Sequence, residues 1–109
     1  LKCGRAADIL KSLPADIEPF DFIFIDADKQ SYPEYLELSL NLSHSGTLIF
    51  LDNVIRAGDI INPENHKPSI EGIRDMFKAM QNHPKILSCT ALQTVGSKGH
   101  DGFALAIVK

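Results

Sequence analysis

Phe22-Ile23-Phe24-Ile25-Asp26-Ala27-Asp28-Lys29 decides the fold. Four consecutive bulky apolar residues, β-branched or aromatic and too few for a helix, predict a strand buried on both faces. The run then breaks into three charged groups within four positions. Open α/β sheets place their chemistry at the carboxyl ends of such strands. A second stretch repeats the pattern: Thr47-Leu48-Ile49-Phe50-Leu51, followed by Asp52-Asn53. The two strand ends are expected to lie side by side and jointly hold a metal ion. Asp26, Asp52 and Asn53 offer two carboxylates and one amide oxygen, a hard-oxygen set. It suits Mg²⁺, Ca²⁺ or Mn²⁺, whereas zinc and copper favour His or Cys.

Outside these stretches the composition is ordinary. The 109 residues bound one domain, with 44% hydrophobic and 23% charged residues, as in a soluble globular protein. A net charge of -3 and the lack of a Lys/Arg cluster leave no footprint for nucleic acid. No apolar run approaches the roughly 20 residues that span a bilayer, so no membrane partner is expected. Cys3 and Cys89 lack metal or redox spacing and are expected to be buried thiols in a reducing cytoplasm. The chain opens on Leu1 rather than methionine, and a fragment of a longer protein is expected.

Along the chain, Ala6, Ile9, Leu10 and Leu13 space a short helix stopped by Pro14. A strand is expected over 20–26. Ser31-Tyr32-Pro33-Glu34 has the form of a capping box opening a helix over 32–43 that buries Tyr35, Leu36 and Leu40. Residues 43–46 are expected to turn the chain into the second strand. From Val54 to Lys67 turn residues replace periodicity. Ser69 then caps a helix with Ile70, Ile73, Met76, Phe77 and Met80 on one face, ended by His83-Pro84. Strands follow over 86–95 and 103–108. The seven-residue turn over 96–102 is too short for a parallel crossover, so they form an antiparallel hairpin.

These residues together resemble the cation-dependent S-adenosylmethionine O-methyltransferases of the caffeoyl-CoA and catechol type. The resemblance is carried by Phe20 to Lys29 with Tyr32 after it, by Gly46 to Val54, and by Asp101-Gly102-Phe103 opening the last strand. It implies an α/β fold: the C-terminal half of a Rossmann-like class I methyltransferase sheet whose last two strands form the antiparallel hairpin. Residues 1–109 would then be a single, partial methyltransferase domain lacking the glycine-rich cofactor-binding half. The implied cofactors are S-adenosylmethionine and a divalent cation, Mg²⁺ first. The implied substrate is a hydroxylated aromatic small molecule, and a homodimer is the expected assembly. By the same resemblance Asp26, Asp52 and Asn53 hold the metal, and Ala6, Asp26 and Asp28 border the cofactor. Lys29 takes the phenolic proton as the catalytic base. Plant members carry a substrate-binding Asn where this chain has Ala57, so the loop over 56–67 is expected to set specificity.

Plainer readings stand beside these. Asp28 can simply cap the turn near Ser31, and Lys29 and Arg56 can be solvated. Tyr32 and Tyr35 fit a core, and His44, His66, His83 and His100 fit surface loops. A haloacid-dehalogenase phosphatase also places Asp-x-Asp after a buried strand, but Lys29-Gln30 follows here and no later acidic pair suits its magnesium. A P-loop is excluded because Gly96-Ser97-Lys98 lacks the spacing. The remaining alternative is a non-catalytic half-domain. Its first strand would present an open edge beside an apolar face.

Overall fold

A computed structural model describes residues 1–97 and 99–109. The order is α1 (Ala6–Lys11), β1 (Phe20–Ile25), α2 (Tyr32–Asn41), β2 (Ser43–Asp52), α3 (Pro68–Gln81), β3 (Ile86–Gly96) and β4 (Gly99–Val108). The strands form one sheet in the order β1-β2-β4-β3. β1 and β2 are parallel, joined by α2, while β4 runs antiparallel to both β2 and β3. The expected α/β architecture and terminal hairpin are present. Among these residues no helix is long and apolar enough to cross a membrane.

One face of the sheet carries the core. Ile25, Ile49, Leu51, Ala104, Ala106 and Val108 alternate inward along three strands. They pack with Tyr35, Leu36 and Leu40 of α2 and with Ile73, Met76 and Met80 of α3. Residues of opposite parity are left on the other face. Phe22 is 53% exposed and Phe24 55%, so the reading of β1 as buried on both faces is corrected. The reason is topological: β1 is an edge strand, and the helices contribute their buried side chains to the opposite face. Phe24, Phe50 and Phe103 line up across β1, β2 and β4 on this open face, with ring centroids 5.2 and 4.6 Å apart.

Several local expectations need correction. The capping box does not form, and a 3₁₀ turn at Lys29–Ser31 precedes α2 instead. The Glu34 carboxylate is drawn to Lys11 and Arg5 of the α1 segment, and the Ser31 N–H is taken by the Asp28 carbonyl. α3 starts one residue before the expected cap, with Pro68 in its first turn and Lys67 ahead of it, as a fixed φ favours. Residues 43–46 belong to β2. The register jumps from Phe20–Ser43 to Phe22–Leu48, and Thr47 Oγ1 donates to the Phe20 carbonyl at 2.6 Å across this bulge. The β3–β4 hairpin is tighter than the turn expected over 96–102: Gly96 already pairs with Gly99. Lys98, within that turn, lies outside the described residues. Both cysteines are exposed rather than buried. Cys89 lies on β3, the other edge strand, whose side chains are almost all exposed. His44 and His100 stand on strands rather than in loops, and His83 is half-buried.

Gly72 decides how closely α3 approaches the Lys29–Ser31 turn. A Cβ there would collide with the backbone of the Lys29–Ser31 turn, reaching the Lys29 carbonyl and lying 2.6 Å from Gln30 Cα. Gly72→Ala should therefore destabilise the fold by ~1–3 kcal/mol, the range for overpacking, although alanine is the better helix former. Chemical denaturation measures this; an unchanged or higher midpoint would show that α3 and the turn are not in such contact.

Candidate functional site at the ends of the parallel strands

The register builds the site. Ile25 pairs with Leu51, so Asp26 and Asp52, each the next residue, stand at matching positions on adjacent parallel strands. Residues paired in parallel strands point to the same face, and neighbouring strands lie about 4.8 Å apart. Asp26 and Asp52 thus follow Phe24 and Phe50 in alternation and share the open-face side of the sheet end. The two strand ends lie together as the sequence predicts.

Tyr32 ties the two ends to each other. Its ring is completely buried at the start of α2. Its hydroxyl points to the strand termini, 2.7 Å from the Asp52 carbonyl and 3.2 Å from that of Ile25. Burial, together with the fields of Asp26 and Asp52, pushes this phenol far above its ordinary pKa. It therefore stays protonated and directs its single proton at this pair of carbonyls, of which that of Asp52 is the nearer. The core reading of Tyr32 is correct for the ring, but the hydroxyl belongs to the site.

Lys29 completes this half of the site. Its Nζ donates to Tyr32 Oη at 2.6 Å and to Asp26 Oδ1 at 3.0 Å, and it lies 4.7 Å from the centroid of the Tyr32 ring. The side chain is only 10% exposed, whereas that of Asp26 is 52% exposed. The reading of Lys29 as a solvated loop lysine is thereby excluded. An amine held between a carboxylate and a phenol, beside a strand end, is placed for proton transfer.

On the β2 side, Asp52 Oδ1 accepts the backbone N–H of Asn53 at 2.7 Å. Asn53 adopts the left-handed conformation, φ 56°, which Asn tolerates better than most residues. Its Nδ2 donates to Asp101 Oδ2 at 3.1 Å, leaving the amide oxygen as the atom for another partner. Among the described residues no three His, Cys, Asp or Glu side chains form a metal cluster. An ion at these strand ends would rest on the oxygens of Asp26, Asp52 and Asn53. That donor chemistry fits a hard divalent cation.

Asp101 and Arg74 were not marked as site residues by sequence reasoning. Asp101 reaches the site because β4 runs antiparallel to β2, which brings the start of one strand to the end of the other. Besides Asn53, it accepts the backbone N–H groups of Gly102, Arg56 and Ile55 at 2.9, 3.1 and 3.3 Å. Burial works against its ionisation, but these hydrogen bonds outweigh it and hold the carboxyl below its usual range. The loop over 56–67 opens with two short 3₁₀ turns over Arg56–Ile61, broken by a kink at Ala57 and Gly58, whose φ values are positive. Arg74 of α3 gathers it by donating to the carbonyls of Ile60, Asn65 and Asn62 at 3.0, 2.8 and 2.5 Å. Arg56 itself is exposed.

Beside β1 lies a cleft of about 350 Å³ lined by Ala6, Ile9, Phe24, Ile25, Asp26 and Ala27, among others. It brings two of the three expected cofactor residues, Ala6 and Asp26, to one surface. Asp28 does not line it. Its carboxylate is held below the usual range by hydrogen bonds from Ser31 and Tyr35, the Tyr35 hydroxyl lying 2.5 Å away.

Comparison with known proteins supplies the family. Residues 1–106 match the model of a family described as O-methyltransferase. A catechol O-methyltransferase of Niastella koreensis is 47% identical over 100% of this chain and 49% of its own length. One from Mycobacterium tuberculosis is 42% identical, covering 97% of this chain and 46% of its own. The O-methyltransferase of Bacillus cereus, solved in complex with SAH, superposes with a TM-score of 0.91 at 50% identity, over 97% of this chain and 48% of that one. The chain spans about half the length of the relatives it matches. Sheet order, strand-end residues and these likenesses converge: the chain belongs to the O-methyltransferase family.

Proposed function

We propose that these residues form the metal- and base-bearing part of an S-adenosylmethionine-dependent O-methyltransferase whose acceptor is a catechol-like vicinal diol. The observation that carries this reading is the in-register pair Asp26 and Asp52 at adjacent parallel strand ends, with Lys29 anchored between Asp26 and Tyr32. Asp26, Asp52 and the Asn53 oxygen would hold a divalent cation, Mg²⁺ first. When bound, such a cation supplies Lewis acidity that favours the phenolate form of the acceptor.

The chain's own groups do the rest. Lys29 Nζ, as the neutral amine, receives the phenolic proton and becomes the ammonium, and the Tyr32 hydroxyl keeps it at the strand end rather than in solvent. The cleft beside β1, with Ala6 and Asp26 on its wall, takes the adenosine side of the cofactor. The loop gathered by Arg74 flanks the acceptor and sets its shape. Methyl transfer needs alignment of oxygen, carbon and sulfur more than acid–base chemistry, so holding the reactants in place should supply much of the acceleration.

The test is the intact gene product with S-adenosylmethionine, Mg²⁺ and catechol, followed by detection of the monomethyl ether. Product that disappears with a chelator and returns with Mg²⁺ is expected. Phosphate release from a phosphoester without methyl transfer would reverse the reading. Methyl transfer indifferent to the chelator would remove the metal from it.

A further inference from the structure

We propose that Asp101 is a positioning residue that sets which end of the Asn53 amide faces the ends of β1 and β2; this rests on the reading of Asn53 as a cation ligand. An ionised carboxylate only accepts hydrogen bonds, so the amide must turn its nitrogen toward Asp101 Oδ2, 3.1 Å away. The planar amide then carries its oxygen on the side away from Asp101. Oxygen can ligate a hard cation and an amide nitrogen cannot, so the orientation decides whether Asn53 is a ligand at all.

The anchor is itself fixed. Asp101 Oδ1 is committed to the N–H groups of Gly102, Arg56 and Ile55, and the Val54 N–H donates to the Gly102 carbonyl at 2.9 Å. The start of β4 is thus bound to the segment that follows Asn53, while Phe103 pairs with Asp52 just before it. A Cβ at Gly102 would collide with Ile55 and with the Leu92 carbonyl, so the close approach that aims Asp101 requires glycine next to it.

Asp101→Asn isolates this role. The new amide oxygen can keep the three backbone N–H groups, while its nitrogen would meet the Asn53 nitrogen, donor against donor. The Asn53 amide should turn over and present nitrogen to the cation. We expect Mn²⁺ affinity, read by water-proton relaxation on the whole chain, to fall by about 10–100-fold, the range for partners that orient metal ligands. The double variant Asn53→Asp/Asp101→Asn restores a complementary pair and leaves one carboxylate oxygen outward, so affinity should recover. A merely structural role for Asp101 would not be rescued this way.

A second measurement needs no variant. In wild-type protein the Asn53 side-chain NH₂ protons should exchange slowly and show a scalar coupling to the Asp101 carboxyl carbon. Fast exchange with no coupling, unchanged affinity in Asp101→Asn, or failure of the double variant to recover would each overturn the proposal. Coupling present in a wild-type chain that binds no Mn²⁺ would uphold the orientation by Asp101 and instead defeat the reading of a cation site.

Discussion

Lys29→Met is expected to slow methyl transfer to catechol by about 10²–10⁴-fold, the usual worth of a positioned general base, while Mn²⁺ binds as tightly as before or tighter. The two halves of this expectation have one cause. The Lys29 amine stands 3.0 Å from Asp26 Oδ1 and occupies an oxygen that a cation would want. Methionine fills similar volume without an amine, so it removes the proton acceptor and frees the Asp26 carboxylate of its hydrogen-bond donor at once. Asp26→Ala should behave differently, losing Mn²⁺ affinity and rate together. Titration of each variant with Mn²⁺, alongside single-turnover rates at saturating metal, separates the two. If Lys29→Met lost metal affinity while keeping its rate at saturation, the amine would be a structural partner of Asp26 and not the base.

The site was legible where chemistry follows a strand directly. Asp26, Lys29, Asp52 and Asn53 each lie within four residues of an apolar run, so a local pattern carries them, and the parallel pairing of β1 and β2 brings them together. Asp101 was not legible as a site residue. It lies 48 residues from Asn53, and the two meet only because β4 inserts between β2 and β3 with reversed direction. A hairpin can be read from its turn, but the sheet order that places its second strand beside β2 is a tertiary fact. Arg74 was hidden for a related reason: its partners are backbone carbonyls of the loop, which leave no mark on composition. The burial of β1 was misread because a continuous apolar run reports only that both faces are apolar, and it does not say that anything covers them.

That open face leads to the second large effect: the purified 109-residue chain should self-associate. Phe22 and Phe24 of β1, Leu92 of β3 and Ile107 of β4 are each at least 40% exposed on it, with Leu48, Phe50 and Leu105 half-buried between them. A contiguous apolar surface of this kind exceeds what monomeric soluble proteins usually tolerate. The outer edge of β1 adds a second drive, because among the described residues no strand lies beside its N–H and C=O groups on the side away from β2. Sedimentation velocity should show dimers or larger species growing in over about 1 μM to 1 mM, where exposed apolar surface and strand edges commonly associate. Phe22→Lys/Phe24→Lys should shift the population toward monomer. Both rings are more than half exposed, so their loss opens no core cavity, although giving up the Phe24–Phe50 contact should cost ~0.5–1.5 kcal/mol. A wild-type chain that sediments as a single monomer throughout that range would contradict the open face as a driver of association. Association undiminished in the double lysine variant would move its origin to another surface, with the exposed β3 edge and Cys89 the first to test under reducing conditions.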